Sequence, residues 1–407
     1  MPQRIENAVG RAVRGANFFA RDREQRRVWR RLATDNLLLL APRRVGKTSL
    51  LFKVEDTAEA NGFVAVYASV ADARDEVDFI RRLVEAAGSL DETQDLFKKL
   101  SAGPLGKLFK RTRGLGVASL SWTLAPDTSA EEWAELGRLL TDGLSQWVPG
   151  DRRFLFLVDE VPLFVDTLLG ESADPDVERA RHFLNWFRRL RQGGEDTNFV
   201  RWVAAGSIGL DTITALHGMG DTINDFNLMP LGAFAPDEAD AFLVALGESH
   251  RLELDPATRA RILERVGWPI PFFLQLLFAR LLDVCKDEEV PASAAAVDGV
   301  YEELLSPGNR AHFDYWRQRL YKELRRPRAD QAVALLNVCC HDSAGPTRAT
   351  LRSTLGKLIE DPQARDDRLR FLLDVLLTDG YLTEDGDRYP FRSTLLRDFW
   401  KRRVAPT

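Results

Sequence analysis

The chain has 407 residues, 45% hydrophobic and 29% charged, the proportions of a soluble globular protein, and its length calls for two or three domains. Its formal charge of −5 argues against whole-molecule attraction to nucleic acid or anionic membrane, leaving only local patches to act. The three cysteines, Cys285, Cys339 and Cys340, offer neither a CxxC pair nor a disulfide framework, and the five histidines show no metal-ligand spacing, so a reducing cytoplasm and no histidine- or cysteine-bound metal are expected.

The first 31 residues hold nine arginines against three acids, which reads as a solvated helix face or flexible basic start, with phosphate binding or docking as the sharper alternative. No apolar signal-peptide core opens the chain, and aliphatic runs such as 37–41 are too short to span a bilayer. Residues 36–41 (NLLLLA) followed by PRRVGKT predict a buried strand, a tight loop and a helix starting near Lys47. Further strands are expected at 63–70, 154–158 and 200–205, apolar enough for a sheet covered on both faces. Between them Phe183, Trp186, Phe187 and Leu190 recur at i, i+3, i+4 and i+7, one helical stripe facing that sheet. Residues 97–124, with six cations among several glycines, read as a mobile insertion or, alternatively, a contact surface, with 117–124 extended. Alternating strands and helices predict a parallel α/β domain over residues 1–230.

Beyond Pro230 the strand signals stop. Pro236, Pro256 and Pro271 each stand at a first helical position and announce three helices, so 231–328 reads as a helical domain running into a polar linker around 302–328. Residues 329–407 then offer helices at 330–341, 347–359 and 366–378 and a hairpin turning at Asp385-Gly386, the elements of a winged helix.

The chemistry concentrates in two places. Residues 41–48 (APRRVGKT) have the spacing of a P-loop, whose backbone N–H groups and following helix surround phosphates while Lys47 reaches the β- and γ-phosphates and Thr48 binds magnesium. Ala41 stands where that pattern has its first glycine, which removes a freely rotating residue but no donor. The second place is the end of FLFLVDE, where a hydrophobic strand aims Asp159 and Glu160 out of its C-terminal edge, the side on which α/β sheets bind ligands. Asp159 is expected at the magnesium ion and Glu160 at the water attacking the γ-phosphate; the plain alternative is two acids capping a strand end. A strand between the P-loop strand and this one, and another after it, suit ATPases with a catalytic glutamate. Ser207, after the fourth strand, is a candidate γ-phosphate sensor or else a helix cap.

These residues resemble the STAND-class archaeal-type and bacterial ATPases within the AAA+-like group. The resemblance spans almost the whole chain: FFARDRE at 18–24, PRRVGKTS at 42–49, VDEVP at 158–162, GSIGL at 206–210, Pro230-Leu231 with Glu238-Ala239, GWP at 267–269 and YPFRSTLLRDFW at 389–400. It implies a P-loop domain, a helical lid and a winged helix around one ATP with Mg2+, switching between ADP and ATP states. Carried over, Pro42, Arg43, Arg44, Val45, Gly46, Lys47, Thr48 and Ser49 surround the phosphates, Arg23 and Glu24 lie on the adenine side, and Pro269 closes over the base. Two departures stand out: Ala20 replaces the family's glycine, and no arginine follows the fourth strand where many such switches keep a γ-phosphate sensor. The expected function is a slow regulatory ATPase acting on a partner protein that supplies the effector or sensor, with nucleotide-dependent oligomers allowed and no membrane role.

The rival reading is a DNA-binding ATPase of the origin-recognition or transposition-helper type. Against it, residues 366–379 carry four aspartates against Arg368 and Arg370; for it, Arg388, Arg392, Arg397, Lys401, Arg402 and Arg403 make a basic tail. A small-molecule kinase would need neither lid nor winged helix.

Overall fold

The computed structural model describes residues 4–102, 109–113, 120–124, 133–147, 152–170, 175–192, 200–206 and 209–405. The chain forms two compact units, one of residues 22–40 and 47–231, the other of 1–21, 41–46 and 232–407.

The first unit is a layered α/β fold. Its elements in order are α1 (Asp22–Leu32), β1 (Asn36–Leu40), α2 (Lys47–Asp56), β2 (Phe63–Ser69), α3 (Glu76–Gly88), α4 (Gln94–Ala102), β3 (Phe109–Arg113), β4 (Leu120–Leu124), α5 (Trp133–Trp147), β5 (Arg153–Asp159), α6 (Val161–Leu169), α7 (Val177–Gln192), β6 (Val200–Gly206), α8 (Leu210–Leu216) and β7 (Phe226–Pro230). Five strands make one parallel sheet in the order β2-β5-β6-β1-β7. The strand set between β1 and the acidic β5 is thus β6, aligned with Leu37 opposite Val203 and with Phe154 opposite Val200. Phe154 to Val158 are wholly buried, as continuous apolar strands of a doubly covered parallel sheet must be. The α7 stripe of Phe183, Trp186, Phe187 and Leu190 is buried as its spacing predicts, and Phe187 meets Trp202 of β6 edge to face while Trp202 stacks on Phe156 at 4.4 Å.

Two features of this unit were not read from the sequence. Phe226–Pro230 is a fifth parallel strand beside β1, a short run that Asn227 interrupts and Pro230 ends, so it does not announce itself. Within the stretch read as an insertion, α4 is helical and β3 pairs antiparallel with β4, Phe109 opposite Leu124 and Arg113 opposite Leu120; β4 agrees with the extended run expected at 117–124 over its described part, Leu120–Leu124, and the remaining residues of the stretch lie outside the described set.

The second unit is mainly helical: α9 (Pro236–His250), α10 (Pro256–Val266), α11 (Pro271–Asp287), α12 (Ala294–Leu304), α13 (Asp314–Leu324), α14 (Arg328–Cys339), α15 (Arg348–Gly356), α16 (Pro362–Thr378) and α17 (Thr394–Arg403). Pro236, Pro256 and Pro271 do open their helices, where a missing N–H costs nothing. The stretch read as a polar linker contains α13 instead. Phe313, Trp316 and Leu320 are fully buried, Arg319 pairs with Asp379 at 2.9 Å with both side chains nearly inaccessible, and the Tyr381 hydroxyl donates to the Trp316 carbonyl at 2.7 Å.

After α14, α15 and α16, antiparallel bridges join Leu382 to Phe391 and Asp385 to Arg388. The hairpin turns at Gly386 and Asp387, one residue later than expected, with Gly386 at φ +60°. All three cysteines are buried, and burial raises each thiol above its ordinary pKa, which makes them packing residues. Among the described residues no helix is long and apolar enough to cross a membrane.

Candidate functional site

β1 runs into the loop 41–46, and α2 begins at Lys47. The loop's left-handed residues are Arg44 at φ +66° and Gly46 at φ +95°; Ala41 has no positive φ, so alanine at the first position of the motif costs no strain. Gly46 is needed for its backbone, and Arg44 holds a conformation that residues with a Cβ normally avoid at a cost of roughly 1 kcal/mol.

In the α/β unit the chemistry gathers at the C-terminal edge of β5. Asp159 is buried there. Its Oδ2 accepts from the Thr48 hydroxyl at 2.7 Å and from the Tyr67 hydroxyl at 3.2 Å, and its Oδ1 from the backbone N–H of Glu160 at 3.0 Å. Three donors fix the carboxylate's orientation from three segments. Glu160 sits at φ +65°, immediately before α6, and its Oε1 lies 3.9 Å from the Lys47 ammonium. A left-handed glutamate is rare, and strained residues of this kind collect at functional sites. Lys47 is buried and Glu160 only partly so.

Tyr67 is the participant that no sequence motif announces. On β2 it pairs with Leu157, two positions before the Ser69–Asp159 pair, so the period of two turns its ring to the same face as Asp159. Phe52 of α2 packs against the ring edge at 4.7 Å, and Glu55 accepts the Tyr67 backbone N–H at 2.8 Å. Burial, then the Asp159 charge, push the Tyr67 phenol above its ordinary pKa, so it stays a donor.

In the helical unit the loop residues have anchors of their own. Arg21, one of the nine N-terminal arginines, is buried rather than solvated: its guanidinium donates to the carbonyls of Val45 at 3.0 Å, Gly232 at 2.8 Å and Ala233 at 3.3 Å. Ala20 before it lies at φ +55°, a backbone position that suits the glycine seen in the similar family. Arg44 lies over the Phe272 ring at 3.8 Å and over the Tyr315 ring at 4.1 Å, cation–π contacts worth about 1 kcal/mol or more each when desolvated. Pro42 and Val45 are buried, and Arg43 is half-buried.

Lys47, Thr48, Asp159 and Glu160 are therefore in direct contact, and Ser49 is buried on α2 beside them in sequence. Arg23 and Glu24 occupy the first turn of α1, the former exposed and the latter half-buried. The Pro269 carbonyl, between α10 and α11, accepts from the Phe234 N–H at 3.2 Å. Ser207 lies outside the described residues; α8, which follows it, is preceded by Gly209 at its N-cap.

No protein-family model and no curated protein matches the chain. Among solved structures it is similar to the Walker-type ATPase of Pyrococcus abyssi, with a TM-score of 0.60 and 16% identity over 95% of this chain and 97% of that one. It is also similar to the ORC2 protein of Aeropyrum pernix in its ADPNP–ADP complexes, with a TM-score of 0.52 and 12% identity over 97% and 95% of the two chains. At such identities the likeness is one of fold, and with the five-stranded parallel sheet and the loop between β1 and α2 it gives this chain the α/β fold of the P-loop nucleotide-binding proteins.

Proposed function

We propose that this chain binds ATP with magnesium and hydrolyses it slowly, as a regulatory switch that acts on a partner protein in the cytoplasm. The observation that carries the reading is the union of Lys47 and Thr48 at the start of α2 with Asp159 and Glu160 at the end of β5. A lysine, a hydroxyl and two carboxylates meeting beside a helix N-terminus match what phosphate and a hard cation require. Thr48 and Asp159 fit magnesium because both offer oxygen and already touch through that oxygen at 2.7 Å. Bound there, the ion supplies positive charge to the β- and γ-phosphate oxygens.

The protein's own groups do the rest. The backbone of 42–46 donates N–H groups to phosphate, with Ser49 continuing that turn, and Lys47 carries charge to the β- and γ-phosphates. Glu160, aimed by its left-handed backbone, orients the attacking water and takes its proton. Following the resemblance to STAND-class ATPases, Arg23 and Glu24 serve the adenine side and Pro269 the base, while Ser207, by its place after the fourth strand of the sequence, is the candidate sensor of the γ-phosphate. In the same reading residues 1–230 are the nucleotide domain, 231–328 the lid and linker, and 329–407 a winged helix. The ORC2 likeness, in complexes named for two nucleotides, supports nucleotide binding. A DNA-binding ATPase is the second reading, and the basic residues of α17 are the specific observation for it.

Calorimetric titration with MgATP tests the assignment. Lys47→Ala should weaken binding by roughly two orders of magnitude, the loss of a charge-assisted phosphate contact. Glu160→Gln should bind as wild type and lose turnover, which in wild type should itself lie below about 1 per second. Unchanged affinity in Lys47→Ala, or unchanged hydrolysis in Glu160→Gln, would remove the residue from its role.

A further inference from the structure

The phosphate loop belongs by its packing to the helical unit, and the residue that fixes it there is Arg44. Arg44 directs its charge at two aromatic faces, Phe272 in the first turn of α11 and Tyr315 in the first turn of α13. The same residue takes the loop's left-handed turn at φ +66°, so the side-chain grip and the backbone shape that aims the neighbouring N–H groups are set together. Arg21 adds a second grip on the loop through the Val45 carbonyl.

From Tyr315 the contacts continue through packed, buried groups. Trp316, the next residue, accepts the Tyr381 hydroxyl on its carbonyl, and Arg319 one turn later pairs with Asp379 at the end of α16. Asp379 and Tyr381 lead from α16 into the hairpin.

We propose that Arg44 is a positioning residue that ties the phosphate loop to α11 and α13, so that nucleotide bound at the loop is felt by α13 and, through Asp379 and Tyr381, by the C-terminal helices and hairpin. This rests on the reading that ATP binds at the loop. It adds to that reading the element which receives the signal.

The test is amide hydrogen exchange over residues 314–324, with and without saturating MgATP, alongside calorimetric affinity. In wild type, nucleotide should slow exchange across α13. Arg44→Ala should raise the dissociation constant about tenfold and, at saturation, leave α13 unresponsive to nucleotide. Arg44→Lys, which keeps the charge but loses the planar stacking group, should restore only part of the response. If Arg44→Ala does not fold, Phe272→Leu decides, since it removes one ring and leaves the loop sequence intact. A clamp with only a structural role would raise exchange equally in both nucleotide states, and that result overturns the proposal. So does a wild-type α13 that ignores nucleotide which calorimetry shows to be bound. Absence of any MgATP binding in wild type would instead bring down the functional reading, and this inference with it.

Discussion

At Asp159 one carboxylate oxygen accepts from two hydroxyls, and only one of them belongs to a recognisable motif. Thr48 and Asp159 could be found in the sequence because each occupies a fixed place relative to a strand and a turn. Tyr67 could not, because its role depends on the register of β2 against β5, and FVAVYAS reads as an ordinary covered strand. Its removal gives a clean prediction. Tyr67→Phe keeps the ring against Phe52 and deletes one hydrogen bond to a charged acceptor, worth about 1.5 kcal/mol or more. If magnesium binds at Asp159 as proposed and that bond holds the carboxylate in place, the magnesium concentration for half-maximal ATP turnover should rise roughly tenfold, with ATP affinity at saturating magnesium little changed. A magnesium titration of steady-state hydrolysis measures it, and a curve that overlays wild type would make Tyr67 a packing residue only.

Elements were legible where a single local rule sets them. Proline at a first helical position marked α9, α10 and α11, and the 3.6-residue stripe marked α7. α13 was hidden because Phe313, Trp316, Leu320 and Leu324 are spread through a stretch rich in charged and tyrosine residues, and their stripe shows only once the helix is drawn. Gly267 illustrates a residue legible for one reason and required for another. Its place in GWP suggests a base-closing turn, whereas the structure puts it at the C-cap of α10 with φ +71°, where a Cβ would come within 2.7 Å of the Thr394 backbone nitrogen at the start of α17. Gly267→Ala must therefore strain the turn and part the two helix ends. A loss of about 2 kcal/mol is expected, seen as a fall of several degrees in the thermal midpoint of the helical unit. A midpoint equal to wild type would mean that α10 and α17 do not need this close approach.

For the whole molecule, the passage from strand-period to helix-period sequence near Pro230 separates α/β from helical structure. That residues 4–21 and 41–46 pack with the helical unit was not legible, since it depends on contacts such as Arg21 with the Gly232 carbonyl that no local pattern encodes. The same is true of charge, and it bears on whether the C-terminal helices meet DNA or protein. Counted in sequence, 388–403 is basic; in the structure its arginines are already engaged. Arg388 donates to the Gly345 carbonyl at 2.8 Å, Arg397 pairs with Asp398, Arg402 with Glu302 at 2.7 Å, Arg403 caps the Leu305 carbonyl, and Arg392 lies over Trp268. On α16, Arg368 is turned inward to Gln331 and Arg370 pairs with Asp367, which leaves Asp374 exposed on the same outward stripe. These partners partly neutralise the cations and compete with phosphate for them, so duplex DNA should bind weakly and without sequence preference. The measurement is fluorescence anisotropy on labelled duplex from low to physiological salt, with ADP, and with ATP in the Glu160→Gln background. Arg370→Glu and Lys401→Glu are the informative variants because both side chains are exposed, whereas Arg368→Glu would bury a charge against Gln331. Protein docking predicts that neither variant changes the anisotropy. Tight, nucleotide-dependent binding at physiological salt, with a log–log salt slope that falls by about one for each reversed cation, would make these helices a DNA-binding surface and reverse the order of the two readings.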